Sequence, residues 1–171
     1  MPFEGKQPSL APSVFLAKGA IVIGDVTIGE DSSVWYNSVV RGDIHSIRIG
    51  KRTNIQDLSV VHVESGLFST TLADEVTVGH GVILHGCQIH RLALIGMGAV
   101  IMNGVVIGEQ AVVGAGSLVT EGTVVPPRTL VLGSPARVKR DLTKEELALL
   151  PVSAEHYVQY SRRHQKIPRG D

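Results

Sequence analysis

The 171-residue sequence predicts an all-β solenoid of stacked triangular coils, closed by a C-terminal α-helical segment, from three observations. An aliphatic residue recurs every six positions, often followed by glycine. Aromatic residues make up only 4% of the chain, so the core must be filled by Ile, Val and Leu. A helical pattern emerges only after residue 140. Ordinary sandwich strands would alternate with period two instead.

The dipeptides Ile23-Gly24, Ile28-Gly29, Ile49-Gly50, Val78-Gly79, Ile95-Gly96, Ile107-Gly108 and Val113-Gly114 mark the period. Taking the aliphatic residue as the first of each hexad gives Val22, Ile28, Val34, Val40, Ile49, Ile55, Val61, Leu72, Val78, Leu84, Ile89, Ile95, Ile101, Ile107, Val113, Val119 and Val125. Three hexads make one coil, each leader points inward, and the next residue is expected to relieve a tight corner. Each inward side chain contributes about 1.5–3 kcal/mol of burial. The period breaks in four places. The Val40 hexad carries three extra residues, read as 46–48; residues 67–71 read as a five-residue insertion; the Leu84 hexad is one residue short; and the pattern ends around Pro126 and Pro127. In the tail, Thr143 and Glu146 stand in capping-box spacing, and Ser153 precedes "AEHYVQYSRRH". Two short helices separated by Pro151 are therefore expected. The boundaries are a β-helix domain over 1–140 and a helical tail over 141–171, packed along the coils.

Charge and composition exclude several classes. Sixteen basic residues balance sixteen acidic ones, which argues against a nucleic-acid partner. No apolar run reaches membrane-spanning length, and "MPFEGKQPSLAPS" lacks the layout of a secretory leader, so no membrane partner and a cytoplasmic location are expected. Cys87 is the single cysteine, which excludes an internal disulfide and Cys-rich metal sites. Any metal must be held by histidines and carboxylates, and Cys87 itself is expected to be a small buried side chain.

With three hexads per coil, Val40, Val61 and Leu84 share one face. Their second positions, Arg41, His62 and His85, then form an outward column whose rungs are about 4.8 Å apart. Two imidazoles so placed reach one ion through bonds of about 2.0–2.1 Å. His80 is the third residue of the Val78 hexad, stacked above Asp57 on the preceding face and a side of the prism away. A cyclic homotrimer resolves the separation, with the column of one chain meeting the Gln56/Asp57/His80 face of the next. Three neutral histidines with open positions are the layout of a catalytic metal site. His45, His90, His156 and His164 are expected at the surface.

The segments "RGD" (41–43), "NIQD" (54–57), "VHVE" (61–64) and "VTVGHGVILHG" (76–86) together resemble the gamma-class carbonic anhydrases. These are hexapeptide-repeat proteins of the left-handed parallel β-helix, and the resemblance covers roughly residues 14–138; "GSPARVKR" (133–140) is similar to their closing segment. The resemblance implies that His62 and His85 ligate metal from one subunit and His80 from the next, in a homotrimer with its sites at the interfaces. The implied ion is Zn2+, with Fe2+ or Co2+ as alternatives, and the implied substrate pair is CO2/bicarbonate. It further implies that Arg41 and Asp57 pair across the interface, that Asp43 supports the ring, and that Gln56 hydrogen-bonds bound water or substrate. Glu64 is the candidate proton shuttle, and Tyr157 is a candidate to reach the site from the C-terminal helix. Ile44 follows Asp43, and "VESGLFSTT" offers only Glu64, so proton export is the thinly supplied step. Three rival readings are a CoA-thioester acyltransferase, for which one histidine base suffices, a metal-dependent hydrolase or thioesterase on the same site, and a non-catalytic trimer stapled by metal.

Overall fold

The computed structural model describes residues 1–167. All the hexad leaders from Val22 to Val125 fall in one continuous core and are at most 5% exposed. Parallel pairing stacks them in three columns. The first runs Val22, Val40, Val61, Leu84, Ile101, Val119. The second runs Ile28, Ile49, Leu72, Ile89, Ile107, Val125. The third runs Val34, Ile55, Val78, Ile95, Val113, Val131. The result is a β-helix of about seven coils, in which the period of six sets which core side chains meet.

The irregularities fall where pairing puts them, and two differ from the sequence expectation. Gly24 pairs with Gly42 but Val26 pairs with Ile47, so the three extra residues lie within 43–46 rather than at 46–48. Ile47 and Ile49 are held in register by the buried Val26 and Ile28 beneath them, which forces the surplus upstream and bulges it outward. Likewise Thr70, Thr71 and Leu72 pair with Ile47, Arg48 and Ile49. The second insertion therefore lies before Thr70, where Glu64 and Phe68 bridge in a tight antiparallel turn.

The glycines of the repeat act differently from the expectation. A Cβ on Gly96 would sit 2.5 Å from the Ala115 amide nitrogen, and one on Gly79 would sit 2.7 Å from that of Met97. Close approach of the next coil selects glycine there. The left-handed residues of the corners come later in each hexad and are often not glycine, as at Asn37 (φ 59°) and Leu58 (φ 62°).

The tail forms one helix, Lys144–His164, running through Pro151, rather than two. Thr143 and Glu146 make the expected capping box, but Ser153 lies inside the helix, its hydroxyl 3.3 Å from that of Thr77. Pro151 forfeits its bond to the Leu147 carbonyl. The buried stripe Leu150, Ala154, Val158 and Ser161 nevertheless continues past it at helical spacing, so packing on the coils outweighs the lost bond. Aromatic residues concentrate at this seam: Trp35 meets Phe15 at 5.3 Å and Tyr157 at 5.5 Å. His164 is not a free surface residue; its ring lies 4.9 Å from Trp35, and its Nδ1 is 2.9 Å from the Tyr36 hydroxyl. Arg52 adds an ion pair to Glu155 of the helix at 2.7 Å.

At the other end of the core, Thr129–Gly133 pairs antiparallel with Ala136–Asp141. No helix among the described residues is long and apolar enough to cross a membrane. Cys87 is 1% exposed, and burial pushes its thiol up to about 12. We expect no reaction with a thiol reagent in the native protein and full reaction in denaturant; rapid native labelling would contradict the packing.

Candidate metal centre

His62 and His85 occupy adjacent rungs, paired residue for residue. Their ring nitrogens, Nδ1 of His62 and Nε2 of His85, lie 3.1 Å apart. The partner of each ring's other nitrogen decides what these facing atoms are. The Asp43 carboxylate lies 2.9 Å from His62 Nε2, so that nitrogen carries the proton and Nδ1 presents a lone pair. The Asn103 carbonyl oxygen lies 2.6 Å from His85 Nδ1, so that nitrogen donates and Nε2 also presents a lone pair. Two lone pairs aimed at each other repel unless a cation stands between them. Two bonds of about 2.0–2.1 Å at a tetrahedral angle separate nitrogens by about 3.3 Å, close to the spacing here. The donor set fits a borderline divalent ion.

The bulge at 43–46 makes this possible, because it turns Asp43 back toward the next coil. Arg41, the expected column neighbour of His62, bonds Asp43 within the chain, and the Ile44 amide donates to Asp43 at 3.0 Å. Burial opposes ionisation of Asp43, but hydrogen bonds from His62 and Arg41 outweigh it and hold the carboxyl below its usual range. Asp43 therefore stays a carboxylate, the form that accepts from His62 and fixes its tautomer.

His80 lies not on the preceding face itself but in the turn between Thr77–Val78 and Ile83–His85, the corner that forms the opposite edge of the histidine face, and its side chain is 47% exposed against 12% for His62. Its Nδ1 is 2.8 Å from the Asp57 carboxylate, as the stacking predicts, which leaves Nε2 free to point outward. Among the described residues no group of three His, Cys, Asp or Glu is placed to hold an ion. Within one chain two donors converge and the third stands apart, already oriented.

The remaining residues named from sequence divide between these edges. Gln56, only 6% exposed, donates through Nε2 to Asn54 at 3.1 Å, and Asn54 donates to Thr77. Tyr157 lies toward the His80 edge: its hydroxyl is pushed up by burial and by the Asp57 charge. Glu64 lies at the His85 edge, accepting from Asn103 at 3.3 Å, with Glu121 at 3.5 Å from the same amide nitrogen. Sequence reasoning missed Asn103 and Glu121. The signal was the short Leu84 hexad, which brings the third position of the next coil over His85.

Residues 86–121 match the family model "Bacterial transferase hexapeptide (six repeats)". A protein of Methanocaldococcus jannaschii named "Probable carbonic anhydrase" is 57% identical over 152 residues, covering 89% of this chain and 95% of that one. A "Carbonic anhydrase" of Geobacillus kaustophilus is 48% identical, covering 92% and 86%. A crystal structure of a hexapeptide transferase family protein from Anaplasma phagocytophilum superposes with TM-score 0.91 at 42% identity, covering 95% of each chain. With carbonic anhydrase relatives at this identity, on a hexapeptide-repeat β-helix carrying the paired histidines, the chain belongs to the gamma-type carbonic anhydrase-like family.

Proposed function

We propose that the protein is a homotrimeric, metal-dependent lyase that interconverts CO2 and bicarbonate, with three sites, each shared between two chains. The observation that carries this reading is the pair of opposed lone pairs on His62 and His85, with a third oriented imidazole, His80, at the far edge of the same face. Between those edges runs a column of aliphatic side chains in register: Ile21, Val39, Val60, Ile83, Val100 and Leu118. Ile21, Val60 and Ile83 are 41%, 36% and 42% exposed in the single chain. An apolar strip of that length suits burial against a second copy. A closed heterologous ring would bring one chain's His62/His85 edge against the next chain's His80 edge.

Zn2+ is the ion best suited to three imidazoles, with Fe2+ or Co2+ as alternatives, and such an ion supplies a water-derived nucleophile at neutral pH by lowering the pKa of water from about 15.7 to about 7. The chain's own residues do the rest. Asp43, braced by Arg41, and Asp57 each accept from one ring nitrogen, of His62 and His80 respectively, and so aim the other nitrogen outward. Gln56, tethered through its amide nitrogen to Asn54, keeps its carbonyl oxygen to accept from the attacking water or to place the substrate. Arg41 stands on the edge that would meet Asp57 of the neighbour, where the two would pair. Tyr157 closes the His80 side. Glu64 is placed to take protons out to solvent, with Glu121 beside it. The acyltransferase reading leaves the facing imidazoles without a purpose, since one base suffices for it.

The test is metal analysis of the purified trimer together with stopped-flow CO2 hydration. We expect about one ion per chain, and turnover that rises steeply with imidazole-type buffer, because the chain supplies few acids for proton export. A fully metallated protein inactive toward CO2 would overturn the activity and leave the site standing. Turnover indifferent to buffer would overturn the assigned slow step.

A further inference from the structure

Asp43 and Asp57 each give a histidine a carboxylate partner, but His85 has a neutral one, and that partner is itself held. Asn103 comes from the coil above. Its carbonyl oxygen meets His85 Nδ1 at 2.6 Å, while its amide nitrogen faces Glu64 at 3.3 Å and Glu121 at 3.5 Å. Only the NH2 end of an amide can face carboxylates, so the two glutamates dictate that the oxygen faces His85. The space for this is built in. A Cβ on Gly86 would sit 2.6 Å from the Asn103 carbonyl oxygen, and Gly86 has φ 58°. The missing residue of the Leu84 hexad, a glycine at the corner and an asparagine one coil up therefore form one device.

We propose that Asn103 is a positioning residue that locks His85 in its Nδ1–H tautomer, so that Nε2 is presented to the metal, with Glu64 and Glu121 fixing the direction of the Asn103 amide. This rests on the metal reading above for its purpose, but not for its geometry. A neutral acceptor does to His85 what Asp43 does to His62, without adding a second full negative charge directly beside the imidazole pair. Glu64 then has a structural part as well as its assignment in proton export.

The experiment has two readouts on the intact assembly. In metal-free protein labelled with 15N-histidine, long-range 15N–1H correlation reads the tautomer directly. His85 is expected as Nδ1–H in wild type and as a mixture, or as Nε2–H, in Asn103→Leu. The opposite tautomer in wild type, or no change in the variant, overturns the proposal. The second readout is cobalt(II) affinity by chelator competition. Loss of a partner behind a ligand typically weakens metal binding about 10- to 100-fold, and that is expected for Asn103→Leu. The tautomer of His85 in wild type serves by itself if the leucine variant fails to assemble. Equal affinity for wild type and Asn103→Leu overturns the proposal. Wild type that binds no cobalt overturns the metal reading instead, a result visible before any variant is compared.

Discussion

An equimolar mixture of His62→Ala and His80→Ala protomers, refolded together, is expected to regain roughly one quarter of the wild-type metal sites and turnover. Each variant alone should fall by more than about 100-fold, since loss of a partner behind a ligand already costs 10- to 100-fold. The fraction follows from the geometry. His62 and His85 stand on one edge of a face and His80 on the other, so a shared site draws its pair from one chain and its third ligand from the next. Such a site is intact only when a His80→Ala chain supplies the pair and a His62→Ala chain supplies the third. Each condition holds for half the chains. Mixed trimers verified by mass spectrometry that show no recovery would exclude ligands from two chains, whereas recovery without subunit exchange would point to a different arrangement altogether.

Replacing Leu84 by alanine is expected to cost about 2–5 kcal/mol of stability, a large share of the 5–15 kcal/mol available to an ordinary domain. Leu84 has no exposed surface and sits in the first core column between Val61 and Ile101. The cavity would loosen the rung that aims His85. Its neighbour Ile83 points the other way, and Ile83→Asp is expected to leave the folded chain nearly unchanged while dissociating the assembly and emptying its sites. Denaturant unfolding and sedimentation velocity separate the two effects. A Leu84→Ala loss below about 1 kcal/mol would contradict the packing, and an Ile83→Asp trimer would contradict the interface.

The core and the histidine column were legible because both follow from counting. A period of six fixes what points inward, and three hexads per coil fix what lies above what. Counting fails where the chain adds or drops residues. Counting puts the surplus of the Val40 hexad at its end, but the buried Ile47 and Ile49 pull it to 43–46, and that shift is what brings Asp43 to His62. Arg41 is expected to meet Asp57 across an interface, and within one chain it bonds Asp43, a contact that the column does not foresee. Asn103 was invisible for the same reason, since its contact with His85 spans a coil whose length departs from the repeat. Pro151 misled in another way. Local rules end a helix there, and a buried stripe decided by the tertiary fold carries it through.

A stack of parallel coils presents unpaired backbone at its end, a template on which another molecule can build without limit. Here the last strand doubles back, and the returning segment carries the exposed Arg137 and Lys139. A reversed direction and repelling cations make that edge a poor seed for fibre growth. With that end blocked, the side-to-side ring proposed above would face no competition there from end-on stacking, which turns a repeating architecture away from filament growth.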